Sequence, residues 1–183
     1  MPVFYSGQII TDTELNSGTG CQVDSTIYTG TPTALTQFSN LWDIGPSTAV
    51  VGSAWRLTVL GKGVLGTTQQ AQNYYIGYGP SGASQQEIVQ CSSADQPASS
   101  TWVFTVIIHL VITTAGAGGR ATITGTLAAG QVPNNSEITW TGGGSNLTFN
   151  TTVDNKLCLL LTYGTATGPP VFTTYCSIFE RLS

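Results

Sequence analysis

The sequence predicts an all-β chain, an antiparallel two-sheet sandwich of about eight strands. Three observations carry this expectation. Runs rich in β-branched and aromatic residues alternate in polarity with period two, as over 55–60, 102–113 and 157–163. Clusters of Gly, Pro, Asn, Asp and Ser punctuate the chain about every 8 to 15 residues. No segment holds a helical period for more than about two turns. The composition agrees: charged residues make up only 8 % of the chain and hydrophobic ones 40 %. Polarity comes instead from Thr, Ser, Gly, Asn and Gln, and disorder would need more charge and less apolar surface.

The 183 residues divide into a short extended N-terminal arm, residues 1–20, and one sandwich domain, residues 21–183. In the arm, Thr11 and Glu14 have capping-box spacing, so a single helical turn is expected over 12–16, stopped by Ser17-Gly18. The arm cannot form a core alone. Its apolar residues Phe4, Tyr5, Ile9, Ile10 and Leu15 are candidates for attachment to a partner.

Short strands are expected over 22–29 and 48–51, broken by Thr31-Pro32-Thr33 and by 43–46. Leu35, Phe38, Leu41 and Trp42 have the spacing of a short helical turn. Trp55 to Leu65 reads as a strand, and Gly61 to Gly66 matches G-x-G-x-x-G. A dinucleotide fingerprint needs a helix behind that loop, whereas a polar stretch follows here, so these glycines are read as a bulge or bend. Tyr74 to Pro80 is a strand ending in a turn, and 80–100 is a polar loop around one apolar patch, Glu87 to Gln90.

The centre of the sequence is 102–127. Trp102, Phe104, Val106, Ile108, Leu110 and Ile112 give one wholly apolar parity. The glycines after them permit a tight reversal into Arg120 to Leu127, so a long core strand and a thinner partner form a hairpin. Gly142 to Gly144 suits a hairpin loop. A second hairpin is expected at the end, with Leu157, Leu159, Leu161 and Tyr163 on one face and 171–179 returning. In that arrangement Cys158 and Cys176 could face each other as a disulfide; two buried thiols are the alternative.

Composition also excludes function classes. Five basic residues, spread over Arg56, Lys62, Arg120, Lys156 and Arg181, make no basic patch on a chain of net charge −4, which argues against nucleic acid. The four cysteines form no C-x-x-C pair, so no metal site is expected. No nucleophile–base set is evident, so no catalytic residue and no cofactor is assigned. Asp95 and Glu137 are carboxylates that could meet only through the fold. His109, the only histidine, reads as a half-buried or surface residue. The apolar run of the central strand is too short for a membrane-spanning helix. The residues from Met1 to Gly7 have neither a basic n-region nor an apolar stretch, so synthesis and retention in a cytoplasm are expected. The tyrosines Tyr74, Tyr75 and Tyr78, with Trp140, are candidates for stacking on a sugar.

The stretch Gly7-Gln8-Ile9-Ile10-Thr11-Asp12-Thr13-Glu14-Leu15-Asn16 resembles the Gly-Gln-x-x-Thr-x-x-x-Leu-Asn opening of tailed-bacteriophage virion proteins. Further along come Trp55-Arg56-Leu57, Tyr75-Ile76-Gly77-Tyr78-Gly79, Ser100-Thr101-Trp102, Gly118-Gly119-Arg120 and Thr152-Val153-Asp154-Asn155-Lys156-Leu157. That order is similar to the jelly-roll virion proteins of tailed phages, over about residues 5 to 182. The resemblance implies a jelly roll, where composition alone leaves an immunoglobulin-like sandwich open. It also implies a non-enzymatic decoration or tail-appendage protein, located on the virion. Such a protein would be a homotrimer in contact with other virion proteins, and a surface jelly roll of this kind can also bind a host glycan. If the arm attaches the domain to a particle, a chain lacking residues 1–20 folds but no longer incorporates; incorporation at normal copy number would contradict this.

Overall fold

A computed structural model describes residues 20–22, 27–28, 36–37, 41–67, 71–91, 98–132, 137–163 and 170–183. The described residues form β1 (Gly20–Gln22), β2 (Ile27–Tyr28), β3 (Thr36–Gln37), β4 (Trp42–Ile44), β5 (Ala54–Val64) and β6 (Gln72–Gly79). They continue with β7 (Ser84–Cys91), β8 (Thr101–Thr114), β9 (Arg120–Val132), β10 (Glu137–Thr148), β11 (Asn155–Tyr163) and β12 (Val171–Arg181). Among them there is no helix, and none long and apolar enough to cross a membrane. The arm, including Phe4, Tyr5, Ile9, Ile10 and Leu15, lies outside the described residues, as do Asp95 and the expected helical spacing at Leu35 and Phe38.

The strands build two antiparallel sheets. One runs β1-β12-β5-β8-β9-β10, with β2 also on β12; the other runs β3-β11-β6-β7, with β4 also on β11. The pairs β1·β12, β3/β4·β11, β5·β8 and β6·β7 are those of a ribbon wound into a jelly roll. These pairs make the eight positions of the roll. The first is split into β1 and β2, the second into β3 and β4, and the hairpin strands β9 and β10 widen the larger sheet.

The central hairpin is present. β5 and β8 pair without a break from Ala54↔Val111 to Val64↔Thr101, and β8 continues into β9. Trp102, Phe104, Val106, Ile108, Leu110 and Ile112 are all buried, facing Leu57, Val59, Ile123 and Leu127 from the flanking strands. Alternation alone produces this, because a strand sends every second side chain to one face. The reversal between β8 and β9 uses Gly116 at φ 107°, and the Gly119 amide donates to the Gly116 carbonyl at 3.0 Å. Trp42 on β4 stacks on Phe179 of β12 at 5.4 Å between centroids, joining the two sheets through the core.

Glycines let backbones and rings approach at two places. On β5, a Cβ on Gly61 would lie 2.4 Å from the Phe104 ring and one on Gly63 2.6 Å from the Phe172 ring. The G-x-G-x-x-G stretch thus lies in and just after a strand, its first two glycines beneath aromatic rings. At the sheet edge, a Cβ on Gly142 would lie 2.5 Å from the Glu87 and Ile88 carbonyls. β10 therefore crosses β7 there with almost no space between them.

Several expectations are corrected. Gly142 to Gly144 are inside β10 rather than in a loop, because only glycine allows the β7 backbone so near. The patch Glu87 to Gln90 belongs to β7, with Ile88 and Val89 buried. Residues 48–51 are turn and irregular chain, fixed by the Thr48 amide and hydroxyl donating to the Gly45 carbonyl. Trp42 extends in β4 against Leu157, not in a helical turn. Most consequentially, β11 and β12 are not a hairpin, since they lie in different sheets. Alternation shows which side chains turn inward, but not which sheet a strand joins.

Gly142→Ala should lower stability by about 1–3 kcal/mol, because the methyl meets backbone that cannot rotate away. Gly118→Ala, with nothing within 4 Å of the added carbon, should be near neutral. Equal unfolding midpoints in urea for the two variants would contradict the close crossing.

Candidate groove on the larger sheet

The sequence-predicted aromatic residues do not share a surface. Tyr74 and Tyr78 face the core at 4 % and 8 % exposure, opposite Leu161 and Leu157. The Tyr74 hydroxyl donates to Gln72 Oε1 at 2.9 Å. Tyr75, one residue on, points to the other face of the smaller sheet beside Leu160, and its hydroxyl accepts from Asn73 Nδ2 at 3.2 Å. Trp140 on β10 is half-buried and packs against the core with Ile138. The expectation of one glycan contact built from these four is corrected by the two-residue period, which sends neighbours to opposite sides of a sheet.

The cysteines are separated for the same topological reason as β11 and β12, and no disulfide joins Cys158 to Cys176. Cys158 sits on the outward parity of β11, yet is 1 % exposed, beneath the turn at Gly82. Burial pushes its thiol up from 9.0 to about 12, against a lowering contribution from a backbone hydrogen bond at Gly77. His109 lies exposed on the outer face of β8, between Arg56 and Thr124.

The site that sequence reading missed lies on the outer face of the larger sheet. Four adjacent strands there form an open groove of about 650 Å³. Leu60 of β5, Val103 and Thr105 of β8, and Ala128 of β9 supply its side chains, and Gly130 opens its floor. Tyr175 of β12 stands at one side, on the far side of β5 from β8.

The position of Tyr175 has a specific cause. In the β12·β5 pairing, Thr174 sits opposite Gly61 and Cys176 opposite Leu60, so Tyr175 is an extra residue in a bulge. Before the bulge Phe172 and Thr174 face the core; after it Ser177 and Phe179 do. Tyr175 is thrown outward at 47 % exposure, the only exposed Phe, Trp or Tyr among the residues described over 41–183. The signal was in the sequence: Phe172 and Phe179 are an odd number of residues apart, and both can turn inward only across an inserted residue.

No charged side chain lines the groove. Among the described residues, no group of three or more His, Cys, Asp or Glu gathers to hold a metal. The arrangement offers an aromatic face, aliphatic and methyl surface, and the hydroxyl groups of Thr105 and Tyr175. This is the chemistry of binding by shape, stacking and hydrogen bonds.

No family model and no curated protein matches the sequence. Solved structures similar to this chain include a seed lectin from Lotus tetragonolobus, 8 % identical with TM-score 0.41, covering 90 % of this chain and 93 % of that one. Arcelin-5, a lectin-like defence protein from Phaseolus vulgaris, is 8 % identical with TM-score 0.44 over 90 % and 92 %. Lectin I from Ulex europaeus, in complex with a methyl glycoside of α-L-fucose, is 7 % identical with TM-score 0.41 over 91 % and 93 %. With every one of these scores below 0.5, function has to be read from this chain's own surface.

Cys158 should resist alkylation at pH 8 in the native protein and react once the chain is unfolded, as peptide mass mapping will show. The same shift sets a sign: between about pH 9 and about 12 the unfolded thiol ionises while the native one keeps its proton, so stability falls as pH rises through that window. Labelling of native Cys158 as fast as a free thiol would contradict its burial.

Proposed function

We propose that this chain is a non-enzymatic glycan-binding β-sandwich module whose contact surface is the groove beside Tyr175. The observation that carries the reading is the pairing of an exposed ring with an open, uncharged groove, while the other Phe, Trp and Tyr residues described over 41–183 are buried or half-buried. A sugar ring presents an apolar C–H face and a rim of hydroxyls. The Tyr175 face matches the first, and the hydroxyls of Thr105 and Tyr175 match the second. The volume of about 650 Å³ is within the range of small-ligand sites, about 300–1,000 Å³.

A second reading, a virion structural protein assembled as a homotrimer, is favoured by a different observation. The order of its sequence motifs resembles that of phage jelly-roll proteins over about residues 5 to 182. Exposed Leu60, Val64, Val103 and Val111 on the outer face of the larger sheet would also suit a subunit contact. The two readings are compatible, since a surface jelly roll can both assemble and bind a host sugar.

Tyr175→Ala should weaken binding to the best ligand of a glycan array by about tenfold or more, with an unchanged melting temperature because the side chain is exposed. An unchanged affinity would place the contact elsewhere, and a wild-type chain that binds no sugar would leave the assembly reading in its place.

A further inference from the structure

We propose that the sugar held in this groove is anionic, with its carboxylate or sulfate engaged by Lys62. The proposal rests on the glycan-binding reading above and adds the charge class of the ligand.

Lys62 stands next to the groove. It lies on the outer face of β5, two residues from Leu60 and directly opposite Val103 across the β5·β8 pairing. Its partner on the other side is Thr173 of β12, two residues before Tyr175. Lys62 and the Tyr175 ring therefore stand along one side of the same depression.

The other basic side chains already have partners. Arg56 is bound to Glu180, with Nη2 2.6 Å from Oε2, and Lys156 is paired with Asp43. Arg120 donates to Thr148 Oγ1. Arg181 donates to the Ser183 carbonyl and lies over the Trp55 ring. Among the described residues, Lys62 alone of the five has neither an ion pair nor a hydrogen bond.

The strands flanking Lys62 offer it no anion. Across β5, β8, β9 and β12 the only carboxylate is Glu180, and Arg56 holds it; Glu137 of β10 is at the opposite margin, across from Gly130. On a chain of net charge −4, the β5 side of the groove thus carries a positive charge with no carboxylate partner on its own or the adjoining strands. An anion arriving there displaces no internal partner, and the aliphatic floor lowers the local dielectric below that of open water. The hydroxyls of Thr105 and Tyr175 remain to hydrogen-bond the sugar.

The test is to measure affinities of the full chain for sialylated or uronic-acid glycans, for sulfated glycans, and for the same glycans with the acidic group removed. The proposal expects the acidic member of each pair to bind at least about fivefold tighter, with the advantage shrinking as salt rises. Lys62→Gln should erase that preference and leave neutral binding intact, and Lys62→Arg should restore it. Comparing the carboxylate and sulfate arms identifies which anion is read. Equal affinity for acidic and neutral partners, or a preference that survives Lys62→Gln, overturns the anionic assignment while leaving the groove as a glycan site. Binding to no sugar of either kind overturns both.

Discussion

The pairing of β5 with β8 is the constraint on which the rest of the molecule depends. It runs through eleven residue pairs without a break. It fixes, for the two central strands of the larger sheet, which side chains enter the core and which meet solvent. A slip of one residue would turn either Trp55, Leu57 and Val59 or the whole apolar parity of β8 outward. No such arrangement could bury enough apolar surface to offset the entropy of ordering the chain. Because the register is held so strongly, the outer face of the same strands is equally well defined. Leu60, Val103 and Thr105 take their places on the groove, and Lys62 beside it, as a consequence of what lies beneath them.

A regular sheet on its own would present a flat outer face. Two local departures make this one concave. The glycine at 130 removes a side chain from the floor, and the β12 bulge lifts an aromatic ring at its side. Gly61 acts on the other surface, where its missing side chain admits the Phe104 ring into the core.

The sequence carried the fold further than the site. The parity of 102–112 and the glycine-rich reversal after it are local signals, and the structure has the hairpin they describe. Sheet membership is not local. Leu157 to Tyr163 and Val171 to Phe179 alternate as two strands of a hairpin would, yet the connection between them crosses from one sheet to the other. Gly142 to Gly144 looked like a loop because glycine marks both turns and close backbone crossings, and only the position of β7 distinguishes them. The tyrosines at 74, 75 and 78 drew attention by their density, but density does not determine which way a ring points. Tyr175, isolated between threonine and cysteine, was betrayed only by the odd spacing of Phe172 and Phe179.

The central claim is that the groove beside Tyr175 is where this protein meets a sugar. Nuclear magnetic resonance of the chain with labelled methyl groups and tyrosine rings, titrated with its best glycan ligand, tests it most directly. The account predicts that the Leu60, Val103 and Ala128 methyls and the Tyr175 ring shift together along one saturation curve, while the core methyls of Leu57, Ile108 and Leu159 stay in place. Shifts confined to other surfaces of the sandwich, with the groove methyls unmoved at saturation, would contradict it.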